Sequence, residues 1–86
     1  MEFKAKAPDG RANIVGHRLK EYRLAKKMSL RDMAAKLQTG GLDWDHTQLY
    51  RTERGEKAVN DVEVVLLSNI LKIPYKKLLE YPDKME

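Results

Sequence analysis

The sequence contains no cysteine, and among its 86 residues there are only two histidines, one tryptophan and one phenylalanine. Without cysteine, disulfide bonds, thiol nucleophiles and cysteine-ligated zinc are excluded. The two histidines, His17 and His46, are far apart and match no known metal-ligand spacing. We therefore expect neither a metal site nor a bound cofactor.

Long apolar runs are also absent, since the longest extends only from Val64 to Leu67. A signal-peptide core needs about seven or more apolar residues, and a membrane-spanning helix about 18 or more. This pattern predicts a cytoplasmic protein without a membrane segment. No nucleophile and base have catalytic spacing, and no glycine-rich GxxxxGK loop occurs, so we do not expect an enzyme.

Charge is abundant but unevenly distributed along the chain. The net charge is +4; residues 1–29 carry eight basic and three acidic residues, residues 30–57 five of each, and residues 58–86 four basic and five acidic. A basic surplus at one end of a small domain favours a polyanionic partner such as nucleic acid. At this length we expect one domain with a small core.

Apolar residues recur at intervals of three and four, and no segment alternates as a strand would. The spacing predicts a compact all-α domain of five helices, with Asn13, Ser29, Asp45 and Asn60 as N-caps and Gly55 ending the third helix. Helices are expected at about 13–27, 30–39, 46–54, 61–71 and 74–80, with a flexible basic arm at 1–12, the domain at 13–80 and a C-terminal tail at 81–86.

The expected core uses one face of each helix. Leu42 and Trp44 should fold the connection between the second and third helices onto the core, although Trp44 could instead stack on a nucleobase or contact a partner. Further expected core residues are Leu19, Met33, Leu37 and Leu49, then Val62, Val65, Leu66 and Asn69 or Ile70 in the fourth helix, and Leu78 and Leu79 in the fifth, before a stop at Tyr81-Pro82.

The second and third helices carry a recognisable motif. An apolar-Ala pair, Met33-Ala34, is followed by Leu37, and the third helix ends with Leu49 and then Glu53-Arg54-Gly55. With Asp61, Leu67, Leu71 and Leu78 further on, residues 13–80 resemble the helix-turn-helix domains of the Cro and lambda-repressor-like type, the xenobiotic-response-element regulators of bacteria and phages. The resemblance implies a five-helix fold that binds DNA through the third helix.

Two departures from the commoner pattern are visible. The connection after Leu37-Gln38 is about five residues longer than usual, which resembles a branch of the family with Gly41-Leu42-Asp43 and a later Val59-Asn60-Asp61 segment. Leu30 stands where relatives place a glutamine that binds a DNA phosphate. Backbone amides at that helix start could still bind phosphate.

The resemblance implies which residues contact DNA. His46, Thr47 and Arg51 match base-reading positions; Gln48 and Tyr50 are their neighbours, and by chemistry Arg51 suits guanine and Gln48 adenine. A polar, solvated helix face is the alternative for the whole group. The candidate base-reading residues are His46, Thr47, Gln48 and Arg51, and the candidate DNA-backbone contacts are Lys27, Ser29, Arg31, Tyr50, Arg54 and Lys57.

Arg23 and Glu53 match an arginine and a glutamate that pair internally in relatives, and such a pair would orient the third helix. Two unpaired surface charges are the alternative.

We expect a transcriptional regulator, most simply a repressor that binds a palindromic operator in double-stranded DNA as a homodimer. The fifth helix, with Tyr75, Leu79 and Tyr81, is the expected dimer surface, and Lys4, Lys6 and Arg11 of the arm could reach a minor groove. The alternative is an antitoxin or adaptor that binds a protein partner such as a toxin or an anti-repressor.

Overall fold

The computed structural model describes residues 6, 7 and 9–80, and in this part of the chain it contains helices and no strand. The predicted all-α class is confirmed. Lys4 of the predicted arm, the stop at Tyr81-Pro82 and the tail at 81–86 lie outside the described residues. In the described part, no helix is long and apolar enough to cross a membrane. The five helices described are α1 (Val15–Ala25), α2 (Leu30–Thr39), α3 (His46–Glu53), α4 (Asp61–Leu71) and α5 (Tyr75–Leu78).

One apolar core joins all five helices. The helix α3 packs against both α1 and α2, while α4 packs against α2 and α5, and α5 also contacts α1. Leu42 and Trp44 of the connection between α2 and α3 are almost fully buried, as predicted, so this longer connection is part of the core. The buried apolar residues are Val15, Leu19, Met33, Ala34, Leu37, Leu42, Trp44, Leu49, Leu67, Leu71 and Leu78.

The predicted N-caps are confirmed in three helices. Ser29, Asp45 and Asn60 each accept the backbone N–H of the residue three positions on, and each forms a complete capping box. In α1 the helix begins at Val15, later than expected, but the Oδ1 of Asn13 accepts the N–H of Gly16 at 2.9 Å. Asn13 therefore satisfies one free amide at the start of α1, as a cap does.

Part of the predicted core was wrong. Val62 is 63% exposed, Val65 is 42% exposed and Asn69 is also exposed, whereas Leu67 and Leu71 are buried. Because Val64 to Leu67 are all apolar, either of two neighbouring faces of α4 could be buried. The face that contains Leu67 is the buried one, and α4 packs against α2 and α5. Leu79 is 47% exposed because α5 ends at Leu78, so it is not the core residue that was expected.

Candidate nucleic-acid interface

The helix α3 has two chemically different faces. Leu49, Thr52 and Glu53 are buried, and the hydroxyl of Thr52 donates to the carbonyl of Gln48 at 2.8 Å, so its burial leaves no unsatisfied group. His46 is partly buried at the first turn. The exposed residues of α3 and its C-cap are Thr47, Gln48, Tyr50, Arg51 and Arg54.

Arg23 and Glu53 form the predicted pair between α1 and α3. The Nε and Nη2 of Arg23 donate to the two carboxylate oxygens of Glu53 at 2.8 and 3.0 Å, and Nη1 donates to the carbonyl of Met28 at 3.2 Å. The side chains are only 14% and 4% exposed. The hydrogen bond to Glu53 raises the pKa of Arg23 above its ordinary value, so the guanidinium stays charged. The two-point contact fixes the rotation of α3 on α1.

The residues before α1 hold the C-terminal end of α3. Arg11 donates from Nη2 to the carbonyl of Glu53 at 2.7 Å, Asn13 donates from Nδ2 to the carbonyl of Thr52 at 3.1 Å, and the N–H of Ala12 donates to the carbonyl of Gly55 at 2.8 Å. These bonds satisfy carbonyls that a helix end leaves without partners. No local sequence pattern indicates these contacts, and they place Arg11 against α3 and not in a free arm.

Gly16 allows α1 to approach α3 closely. A Cβ at this position would collide with the carbonyl oxygen of Thr52 and would come within 2.6 Å of the Nη2 of Arg11. The residue is buried within the first turn of α1. A glycine is therefore required here by the close contact between the helices and not by its backbone conformation.

The N-terminal turn of α3 is fixed by a capping box. The carboxylate of Asp45 accepts the N–H of Gln48 at 2.8 Å, and the Oε1 of Gln48 accepts the N–H of Asp45 at 3.0 Å. A bidentate contact with adenine needs both the carbonyl and the amino group of a glutamine. Gln48 would have to release Asp45 to read adenine in that way, which the prediction for Gln48 did not include.

Among the predicted DNA-backbone contacts, Lys57 is the least exposed, and its ammonium group contacts two other side chains of the protein. Its Nζ lies 4.5 Å from the centre of the Trp44 ring and 3.5 Å from the Oε2 of Glu63, and the side chain is 23% exposed. The indole of Trp44 donates to the same carboxylate at 3.2 Å. Trp44 is 3% exposed, which confirms that it fills the core and does not offer a stacking surface. The other predicted backbone contacts, Lys27, Ser29, Arg31, Tyr50 and Arg54, are exposed.

Arg54 and Tyr50 contact each other on the open side of α3. The guanidinium of Arg54 lies 5.7 Å from the centre of the Tyr50 ring, and its Nη1 donates to the Tyr50 hydroxyl at 3.4 Å. A hydrogen bond to Glu56, followed in size by the one to Tyr50, raises the pKa of Arg54 above its ordinary value. Arg51 lies one turn before Glu56 and is 58% exposed. The cations at this end of α3 are therefore exposed but not unpartnered.

The described residues contain no group of three or more His, Asp and Glu side chains that could hold a metal ion. No protein-family model, no curated protein and no solved structure matches this chain.

Proposed function

We propose that this protein is a DNA-binding transcriptional regulator in which α2 and α3 form a helix-turn-helix and α3 reads the major groove. One observation carries the proposal: α3 is fixed by its buried face while its opposite face offers Thr47, Gln48 and Arg51 to the surroundings. A major groove accommodates one α-helix, and only outward side chains reach the base edges. A helix that reads bases must also keep a fixed orientation, and the Arg23–Glu53 pair fixes α3 by joining it to α1.

The charges around α3 support a polyanionic partner. Lys27 and Arg31 are exposed near the start of α2, and Arg51 and Arg54 are exposed at the end of α3. Such residues position a protein on the phosphate backbone without reading sequence. Asp45 is the exception, because its carboxylate at the start of α3 would repel a phosphate placed there.

A second surface supports the dimeric part of the proposal. Val62, Val65, Tyr75 and Leu79 are each more than 40% exposed and belong to α4, α5 or the residue after α5; we call them the α4–α5 outer face. Helix-turn-helix dimers place two reading helices in successive major grooves about 34 Å apart, and we propose this face as the contact between the two copies. The most direct function is a cytoplasmic repressor on a palindromic operator.

The same apolar face favours the alternative function. An antitoxin or adaptor would use it to bind a different protein, such as a toxin or an anti-repressor, with or without DNA. Apolar residues clustered at a surface are typical of protein interaction sites. A purified chain that selects no DNA sequence would fit only the alternative, because an antitoxin or adaptor need not bind DNA.

The decisive experiment is selection from random-sequence duplexes, followed by salt titrations of binding to the selected and to an unselected duplex. We expect a palindromic motif to be enriched. Arg51→Ala should weaken binding to that motif by about tenfold or more, because a bidentate arginine–guanine contact contributes about 1 to 3 kcal/mol of discrimination. Lys36→Ala removes the same charge from an exposed position in the last turn of α2 that is not among the predicted DNA contacts, and it should leave the selected motif unchanged.

Weak binding without sequence preference, lost equally by wild type and Arg51→Ala as salt rises, would contradict the proposal. The interaction-module alternative would then be favoured. In that case, sedimentation of the wild type with and without duplex would show whether the α4–α5 outer face pairs two copies of the chain in the absence of DNA.

A further inference from the structure

The end of α3 folds the chain back on itself and places an acidic residue beside the exposed cations. The N–H of Gly55 donates to the carbonyl of Thr52 at 3.0 Å, and the N–H of Glu56 donates to the carbonyl of Arg51 at 2.9 Å. Gly55 has a φ of +80°. This is the Schellman motif, in which a left-handed glycine reverses the chain after a helix. Glu56 is therefore held by its own backbone next to the last turn of α3.

The carboxylate of Glu56 divides its two oxygens between two arginines. Its Oε2 accepts the Nε of Arg54 at 2.8 Å, and its Oε1 lies 3.7 Å from the Nε of Arg51. The exposed fractions of the three side chains are 57% for Arg54, 58% for Arg51 and 46% for Glu56. The carboxylate thus occupies the place beside both guanidinium groups where an outside anion would bind.

We infer that Glu56 is an internal competitor for the phosphate groups of DNA at Arg51 and Arg54, and that it sets the specificity of binding. This inference rests on the proposed function. Exposed ion pairs contribute little to stability, so a correct DNA site can displace the carboxylate at small cost. In the specific complex Arg51 binds an uncharged base, so only Arg54 brings a phosphate next to the carboxylate. A duplex that offers only its backbone brings phosphates to both arginines and is repelled by the carboxylate more strongly. Glu56 therefore weakens sequence-independent binding more than specific binding.

The inference is tested with Glu56→Gln, which keeps the size of the side chain and removes its charge. We expect this variant to bind an unselected duplex about three- to tenfold more tightly than wild type, because the DNA phosphates no longer have to break two surface ion pairs. The slope of log K against log salt should steepen by about 0.9, the value for one additional phosphate contact. Binding to the selected motif should tighten less, so the ratio of specific to unspecific affinity should fall.

Glu80→Gln is the matched control. Glu80 follows α5, pairs with Arg18 at 2.9 Å and has a 42% exposed side chain, so this change also removes one acidic charge and one surface ion pair. It should alter binding to either duplex by less than about twofold, because long-range charge effects are screened over about 10 Å in ordinary salt. Equal tightening by Glu56→Gln and Glu80→Gln would overturn the inference and leave only an effect of net charge.

Two further measurements separate the inference from the proposed function. In the free protein, Glu56→Gln should shift the side-chain N–H resonance of Arg54 in nitrogen-correlated NMR spectra; an unchanged resonance would show that the pair does not form and would overturn the inference. In an Arg51→Ala, Arg54→Ala background, Glu56→Gln should no longer tighten binding, and persistent tightening would also overturn it. If the resonance shifts but no variant binds any duplex, it is the proposed function that fails, and the inference falls with it.

Discussion

The contact between α1 and α3 is buried within the chain, whereas the apolar side chains of the α4–α5 outer face stay exposed to solvent. At the first, Gly16 admits close approach, Leu19 and Leu49 are fully buried, and Arg23 and Glu53 form a two-point ion pair. At the second, large apolar side chains remain exposed. Contacts with α1 therefore fix α3 within the chain, whereas no described residue covers the α4–α5 outer face.

This difference separates two requirements of the proposed function. Specific reading of DNA needs a helix whose orientation does not change, which explains polar contacts of fixed geometry at α1 and α3. Pairing of two copies, or binding of a partner, needs apolar area that stays open in the single chain. Changes at the contact between α1 and α3 should therefore affect stability, and changes at the α4–α5 outer face should affect only association.

The largest effect is expected from breaking the Arg23–Glu53 pair. Glu53→Ala should reduce the free energy of unfolding by about 3 kcal/mol, because it leaves a mostly buried guanidinium without its partner. The double change Arg23→Met, Glu53→Leu should cost clearly less, because no buried charge is left alone. Urea unfolding followed by circular dichroism measures both. Equal losses in the single and double variants would show that the two residues do not act as a pair.

Much of the fold could be predicted from local patterns. The caps at Ser29, Asp45 and Asn60 and the end of α3 at Gly55 depend on neighbouring residues alone, and the structure confirms them. The face of α4 could not be chosen in this way. Its two apolar stripes are one residue apart, and only the packing of other helices decides between them.

The candidate site was predictable to a similar degree. The Arg23–Glu53 pair followed from the family resemblance and is confirmed. Thr47 and Arg51 are exposed, as both base reading and the alternative of a solvated helix face require, so their base-reading role stays a prediction. The contacts of Arg11 with the end of α3 join residues 42 positions apart, and no local spacing encodes such a contact. For Gln48 a signal was present, because Asp-x-x-Gln is a form of capping box, but its consequence for adenine reading was missed.

A smaller effect, and a direct test of the comparison, comes from two residues of α4. Leu67→Ala should reduce the free energy of unfolding by about 2 to 3 kcal/mol, because the side chain is fully buried. Val65→Ala, two positions earlier, should change it by less than about 0.5 kcal/mol in the monomer. Urea unfolding at low protein concentration gives both values, and sedimentation at high concentration shows whether Val65→Ala weakens self-association. A loss at Val65 as large as that at Leu67 would mean that this face is covered even in the single chain.

The smallest effect concerns His17 in α1, next to the segment that holds α3. Within the described part of the chain its Nε2 is buried without a hydrogen-bond partner, and the nearest carboxylate oxygen, on Asp9, is 3.8 Å away. Burial lowers the pKa of His17 below 6.5, Arg11 acts in the same direction, and Asp9 and Glu21 oppose it. Because the folded protein binds the proton less well than the unfolded chain, the stability that neutral His17 provides is complete above about pH 6.5 and declines as the pH falls further.

His17→Gln should therefore reduce the loss of stability between about pH 7.5 and about pH 5.5, measured as the difference between urea midpoints at the two values. Asp9→Asn should increase that loss, because it removes the charge that favours protonated His17 in the folded state. The two variants change the same interaction in opposite directions, so a general effect of acid on the many carboxylates of the chain cannot imitate the result. If both variants keep the wild-type difference, burial at the start of α1 does not lower the pKa of His17, and the acid sensitivity of the protein has another origin.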